Sequence, residues 1–415
     1  MLVLGIFAAV LAAYELAATR LGRLGISRPM VFVAVGALVT LTGAFEPLPG
    51  DEPAGVLLPL AEIALALVLF ADASRVNLAW LRRDYGVALR LLGPGMLMTI
   101  GLGTLLGLWL FGLNGWECAA LAAILAPTDA ALGAAVVEDE RVPRPIRQAL
   151  SVEAGLNDGL AVPFLLLFVA GATVSEGFEP GSYWASTALE KVGIGLLAGV
   201  AVGAVVAELA RRGRRAGWAS GVSEQLAMAA AAVALFAFTE ELGGSGFIAA
   251  YVGGLVAGSR LGTDSAPAVG FVDEEGTVVG AFVFFALGLV ALELLDALTA
   301  TIVVYALLSL TVIRMLPVAL ALLGSGLRAR TVAFVGWFGP RGLASIVLAL
   351  VVLEQDDELR AIDTVVLTTL VTVILSILLH GLSAGPLTRR YGGWAKALPP
   401  DAPELAGPDD AVGPR

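Results

Sequence analysis

Cysteine and histidine are almost absent from this chain: Cys118 and His380 stand alone among 415 residues. One cysteine excludes an intrachain disulfide and a Cys-rich metal site. One histidine excludes most His-based metal sites and argues against a serine–histidine hydrolase. Charge is scarce as well. Only 15% of residues are charged, the net charge is −11, and no basic block of useful length occurs, so no nucleic-acid partner is expected. Apolar residues fill the space instead, at 58% of the chain and a mean hydropathy of +0.89. A soluble domain of this length does not carry such a composition. The chain reads as an all-α polytopic membrane protein, and its 50 glycines suit close helix–helix approach in lipid.

The N-terminal run MLVLGIFAAVLAAYELAATR lacks the basic residues that precede the apolar core of a signal peptide, and its arginines come afterwards. It is read as a first retained span. Thirteen apolar segments follow one another, near 2–19, 29–44, 55–71, 87–112, 116–137, 148–171, 189–210, 223–240, 244–260, 277–295, 299–323, 331–353 and 363–385. Loops after odd-numbered segments are basic, as in RVPRPIRQ and RRGRRAG. Loops after even-numbered ones are acidic, as in FEPLPGDEP and EQDDE. This alternation places the N-terminus outside and the C-terminus in the cytoplasm. Residues 1–391 form one transmembrane domain, and the Pro- and Asp-rich stretch 392–415 is expected to be a short disordered cytoplasmic tail.

Ionisable groups inside such segments are costly, about 2.5–3.5 kcal/mol each on insertion scales, and persist where they face a partner or a cavity. In LAAILAPTDAALGAAVV (121–137), Pro127 interrupts the helix beside Thr128 and Asp129. A broken helix exposes backbone polar groups at membrane depth, which is tolerated only against protein or a cavity. The group reads as a cation site, or else as a proline kink with an inward-facing aspartate. In SVEAGLNDGLAVPF (151–164), Glu153 and Asn157 project about 40° apart and Asp158 about 140° from Glu153, so the two carboxylates meet different neighbours. Ser151 shares the Asp158 face and is suited to line an access path. Arg314, in the eleventh segment, keeps its charge and needs an anion; Glu153 is the first choice, and snorkelling to the cytoplasmic edge is the alternative. In VAFVGWFGPRGLASIVLAL (332–350), Gly339, Pro340, Arg341 and Gly342 make a second interruption. Interruptions in the fifth and twelfth segments point to an inverted-repeat transporter. Asp129 and Arg341 are then suited to neutralise the opposed partial charges of the half-helix ends. His380 reads as a structural residue near a helix end, and Asp72 as interfacial.

The stretches APTDAALGAAVV, VPRPIRQALSVEAGLNDGLAVPF, GSGFIAAYVGGLVAG and GWFGPRGLASIVLAL, in this order, resemble the monovalent cation/proton antiporters, in particular the sodium/proton exchanger branch with an Asn-Asp pair. The likeness covers nearly the whole transmembrane region. It implies thirteen helices in two inverted repeats, with unwound helices 5 and 12 crossing, and a homodimer. It implies that Asp158 binds cation or proton with Asn157 beside it, that Thr128 and Asp129 belong to the unwound helix, that Glu153 and Arg314 form a buried ion pair, and that Arg341 serves the second unwound helix. Relatives of this branch often read E-S-x-x-N-D; here Ala154 stands in the serine position, so one hydroxyl ligand is missing.

The function expected is exchange of Na⁺ or Li⁺ for H⁺ across the cytoplasmic membrane, with Asp158 and Thr128 holding the transported ion and no cofactor. One titrating carboxylate that crosses only when neutralised carries one charge, so exchange is expected to be one-for-one and electroneutral. The same fold carrying K⁺ is the nearest rival, and a solute symporter of related architecture stands beside it. An intramembrane aspartyl protease built on Asp129 and Asp158 lacks a G-x-G-D motif and leaves Arg314 and Arg341 without a use. A channel would pass fast, voltage-dependent current.

Overall fold

The computed structural model describes residues 2–43, 52–76, 86–175, 184–218, 221–262, 265–353 and 361–405, and all regular structure among them is helical. In chain order the helices are α1 (Leu2–Arg23), α2 (Arg28–Leu41), α3 (Glu52–Arg75), α4 (Gly86–Phe111), α5 (Gly115–Ile124), α6 (Ala130–Val137), α7 (Arg144–Ser175) and α8 (Trp184–Ala216). They continue with α9 (Gly221–Glu241), α10 (Gly246–Leu261), α11 (Ser265–Val290), α12 (Ala300–Ala321), α13 (Ala329–Trp337), α14 (Leu343–Leu353) and α15 (Ile362–Ala395), with a single helical turn, Glu293–Asp296, between α11 and α12. Among the described residues, 7 helices are long and apolar enough to cross a membrane by length and composition, and shorter apolar helices lie between them.

Both expected interruptions are present. The fifth segment is two half-helices, α5 and α6, parted by residues 125–129; the twelfth is α13 and α14, parted by 338–342. Proline has no N–H to donate and its ring collides with the carbonyl one turn back, which favours the breaks at Pro127 and Pro340. Two further departures from straight helix, and one shifted boundary, fall where hydropathy is blind. Pro94 sits in a π-helical turn, Leu91–Gly95, inside α4. The helix α12 is kinked at Thr311 (φ −116°, ψ −89°), ahead of Pro317. The helix α11 begins at Ser265 and ends at Val290, where the apolar run suggested 277–295; hydropathy reports contact with lipid, and a helix can start well outside it.

Glycine sets how closely the helices approach. A side chain at Gly199 or Gly203 of α8 would run into the α10 backbone, and one at Gly254 or Gly258 of α10 into the carbonyls of Phe70 and Ser74 on α3. Gly36 of α2 and Gly288 of α11 face each other in the same way. With backbones this close, dispersion and packing hold the helices where the hydrophobic effect between lipid-solvated helices is weak.

The chain end differs from the expected disordered tail. The helix α15 continues to Ala395, and residues 396–405 turn back onto the start of α13. There the buried Glu404 carboxylate accepts hydrogen bonds from the Arg328 N–H (2.8 Å), the Arg328 guanidinium (2.8 Å) and the Thr331 hydroxyl (3.2 Å). It thereby satisfies the backbone amide of Arg328, the N-cap of α13. Residues 406–415 lie outside the described residues.

Candidate functional site

The interruptions meet each other, and their polar groups pair across the meeting point. Asp129 is the N-cap of α6: its Oδ1 accepts the Leu132 N–H (2.8 Å), and its Oδ2 accepts the Leu343 N–H at the start of α14 (2.8 Å). One carboxylate thus serves the positive ends of both half-helices. The Asp129 N–H donates to the Pro340 carbonyl at 2.8 Å. In the reverse direction, Arg341 Nη1 donates to the carbonyls of Ala126 (2.9 Å) and Pro127 (2.8 Å), beyond the negative end of α5. The Ser345 hydroxyl donates to the Ile124 carbonyl at 2.8 Å. Asp129 and Arg341 are both buried, Arg341 completely. Each unpaired buried amide or carbonyl costs about 1–3 kcal/mol, so mutual pairing is what lets two broken helices sit at membrane depth. A side chain at Gly342 would fall on the Asp129 carboxylate, which explains why the reach from Asp129 to Leu343 requires glycine there.

The long helix α7 carries the remaining expected residues. Glu153 and Arg314 are brought together as a bidentate pair, with Nη1 to Oε1 at 2.5 Å and Nη2 to Oε2 at 2.9 Å, and both are buried. The pair packs on the second interruption, where a Cβ at Gly339 would strike the Arg314 guanidinium. Asn157 donates from Nδ2 to the Thr128 hydroxyl at 2.7 Å, so it joins α7 to the first interruption. Its Oδ1 and the Oδ1 of Asp158 are buried with no hydrogen-bond partner among the described residues. Asp158 is 8% exposed, and Asp129, Asp72 and Arg341 are close enough to act on it electrostatically. The ring of Tyr251 fills the space beside Gly159, next to it.

A cavity of about 470 Å³ opens beside these residues, lined by Asp72, Thr128, Asp129, Ser151, Ala154 and Gly155 among others. It lies on the side of the molecule that carries Arg75, Glu138 and Gln148. Ser151 is on the wall, as its position on the helix suggested. Asp158 is not. It follows Ala154 by one helical turn, so it sits just past the inner end of the cavity, and Ala154 stands at the approach to it. Asp72 was missed as a cavity residue, because its place at the end of an apolar run reads as interfacial; only the packing of α3 against α7 at Gly155 turns it inward. His380 was read as structural, and its ring bonds to the end of α13.

The arrangement places one buried carboxylate, with one oxygen lacking a hydrogen-bond donor, one turn beyond a cavity of about 470 Å³ that is lined by Thr128 and unwound backbone. That is a setting for a proton or a small hard cation.

A sequence model of a transmembrane family described as sodium/hydrogen exchanger matches residues 6–390. The chain is 27% identical to the K(+)/H(+) antiporter NhaP2 of Shewanella oneidensis over 371 residues, which are 87% of this chain and 62% of the relative. It is 27% identical to the K(+)/H(+) antiporter NhaP of Alkalimonas amylolytica over 403 residues, 94% of this chain and 66% of the relative. It therefore spans about six tenths of the length of the curated relatives it first matches. Among solved structures, the sodium proton antiporter MjNhaP1 of Methanocaldococcus jannaschii at pH 8 superposes with a TM-score of 0.77 at 21% identity, covering 95% of this chain and 99% of that one. That likeness is one of fold.

Proposed function

The chain belongs to the sodium/hydrogen exchanger family, a family of membrane transporters and not of enzymes, and from that membership we propose that it exchanges Na⁺ or Li⁺ for H⁺ across the cytoplasmic membrane. The observation that carries this reading is the Asp158 carboxylate, buried without a partner for Oδ1 one turn beyond a cavity. An uncompensated buried charge costs several kcal/mol, so the site is comfortable only when Asp158 holds a proton or a cation, and the two exclude each other. Thr128, which lines the cavity and whose hydroxyl accepts a hydrogen bond from Asn157, is the second ligand of the transported ion. Asn157 acts by holding Thr128. Both oxygens of Asp129 are already engaged by helix ends, so Asp129 and Arg341 compensate the unwound helices, and Asp129 reaches the ion only through its charge. Glu153 and Arg314 remain paired throughout and carry nothing.

One titrating carboxylate gives one-for-one, electroneutral exchange by rocking of one bundle against the other around the crossing. The proposal includes thirteen membrane helices in two inverted repeats, a homodimer, an outside N-terminus and a cytoplasmic C-terminus, which turns the cavity toward the cytoplasm. K⁺ is the alternative ion, because the relatives named above are K⁺/H⁺ antiporters.

The test is proton flux in liposomes containing a pH-sensitive dye, driven by pulses of Na⁺, Li⁺ or K⁺. Wild-type protein is expected to respond to Na⁺ and Li⁺, with no dependence on membrane potential. Asp158→Asn is expected to abolish the flux while its detergent melting temperature stays near wild type. Wild-type flux from that variant refutes the assignment; a response to K⁺ alone selects the alternative.

A further inference from the structure

An intact α-helix bonds each N–H to the carbonyl four residues earlier. Across the second interruption, one of the bonds lost is that from the Arg341 N–H to the Trp337 carbonyl, an oxygen that also accepts the Gly339 N–H at 2.9 Å. Both of those groups are also engaged by one face of α15. The Arg341 N–H donates to the Ser376 hydroxyl at 2.7 Å. Ser376 Oγ lies 3.2 Å from His380 Nδ1, and His380 Nε2 lies 2.9 Å from the Trp337 carbonyl oxygen. Ser376 and His380 are one helical turn apart and buried, at 0% and 1% exposed. One turn further on, the Ser383 hydroxyl accepts from the Trp337 indole N–H at 2.9 Å.

The proton positions follow from counting donors. A neutral imidazole has one N–H, yet carbonyl oxygens lie near both ring nitrogens: Trp337 at Nε2, and Ser376 at Nδ1 (3.0 Å). The ring nitrogen without a proton must face a donor. At Nδ1 the Ser376 hydroxyl is available, because Ser376 Oγ already accepts from Arg341 and has its own proton to give. The contacts at Nε2 include no donor. An imidazolium would satisfy both carbonyls, but it would bury a full charge, at 1% exposure, with no carboxylate among its hydrogen-bond partners. The ring is therefore neutral, with its proton on Nε2.

We propose that Ser376 and His380 splice the missing backbone hydrogen bond of the second interrupted helix, Arg341 N–H to Ser376 O–H to His380 and on to the Trp337 carbonyl, and so fix the width of the break. They are positioning residues. The Pro340 carbonyl accepts from Asp129, Leu343 donates to it, and Thr128 is its chain neighbour; a change in the break is passed to the ion ligand through that carboxylate. The effect on exchange rests on the function proposed above; the splice itself does not.

Because His380 is the single histidine, ¹⁵N-histidine NMR of the full chain in lipid nanodiscs, purified on a tag without histidines, reads this one ring. At pH 7 the neutral Nε2–H tautomer is expected, with Nδ1 shifted as a hydrogen-bond acceptor and that shift lost in Ser376→Ala. The Nδ1–H tautomer, or an imidazolium, overturns the splice whether or not the protein transports anything. In the flux assay, Ser376→Ala and His380→Ala are each expected to raise the apparent cation KM about tenfold, the lower range for outer-shell partners of an ion site, with a smaller change in maximal rate. The double variant is expected to be no worse than either single one. Ser376→Thr, which keeps the hydroxyl, and His380→Gln, which keeps a donor for Trp337, are expected to recover KM to within about threefold of wild type, and both are informative if the alanine variants fail to fold. Wild-type KM in both alanine variants overturns the positioning role even where the tautomer is as assigned.

Discussion

Glu153 and Arg314 show what a single residue can and cannot reveal. Arg314 inside an apolar run needs an anion or a route to the cytoplasmic edge, and Glu153 was the first choice of partner; the structure brings the two together as a bidentate pair. Removing one partner leaves the other charge buried. Glu153→Gln or Arg314→Met is therefore expected to lower stability by about 3–5 kcal/mol, read as a drop in detergent melting temperature, while the double change costs less than the sum of the two. Unchanged melting in the single variants refutes the pair as a structural element. Ala154 has the opposite character. It stands on the cavity wall one turn before Asp158, where a hydroxyl would face the approach to the ion site. Ala154→Ser is expected to tighten apparent cation affinity by about two- to tenfold, the range of one added neutral hydrogen bond or ligand, as a lower KM in the flux assay. Asp72 could not be weighted from the sequence, since a carboxylate at the end of a span looks the same whether it faces headgroups or a cavity.

Elements were legible in proportion to how much they depend on local chemistry. Proline with a neighbouring charge announces a broken helix, and both breaks fell where the sequence placed them. The π-turn at Leu91–Gly95 and the kink at Thr311 also lie near prolines, but there the charges, Arg90 and Arg314, precede Pro94 and Pro317 by three or four residues, and such a proline does not distinguish a kink from a break. Which half-helix end each charge serves was open as well: a shared N-cap requires the second half-helix to arrive within hydrogen-bond reach, which is a tertiary fact. Gly342 tests this geometry. Gly342→Ala places a methyl where the Asp129 carboxylate lies and is expected to disrupt both helix starts, with a melting loss of about 2 kcal/mol or more and loss of exchange. Gly101→Ala in α4, where a Cβ meets open space, is expected to be neutral or stabilising by up to about 1 kcal/mol. Equal effects from the two substitutions contradict the shared cap.

Across the whole molecule, the chain closes on itself: its last described residues bind the start of the interrupted helix α13, with Glu404 and Arg328 separated by 76 positions. Burial alone would raise the pKa of the Glu404 carboxyl, but hydrogen bonds from backbone N–H groups and Thr331, with the charge of Arg328, together hold it below the ordinary glutamate value. A lowered folded value means that the contact contributes fully above the ordinary glutamate pKa of about 4.3 and is lost as pH falls through the folded value. Hydrogen–deuterium exchange over 396–405 is accordingly expected to be slow at neutral pH and to quicken in acid beyond the chemical trend. Glu404→Gln is expected to exchange about tenfold faster at pH 7, a change of about 1.4 kcal/mol, without the acid-dependent step. A segment that exchanges freely in the wild type at pH 7 contradicts the docking. The mean hydropathy of a terminal stretch, read alone, cannot see one buried carboxylate that anchors it.

Asp129 carries one further implication. Since a single carboxylate closes the starts of α6 and α14 together, neither helix can be mended by itself: substituting Pro127 or Pro340 to restore a continuous rod would strand the opposite amide in a dry environment. The two defects are thermodynamically one unit, so any sequence that drifts away from this architecture has to lose or keep them as a pair.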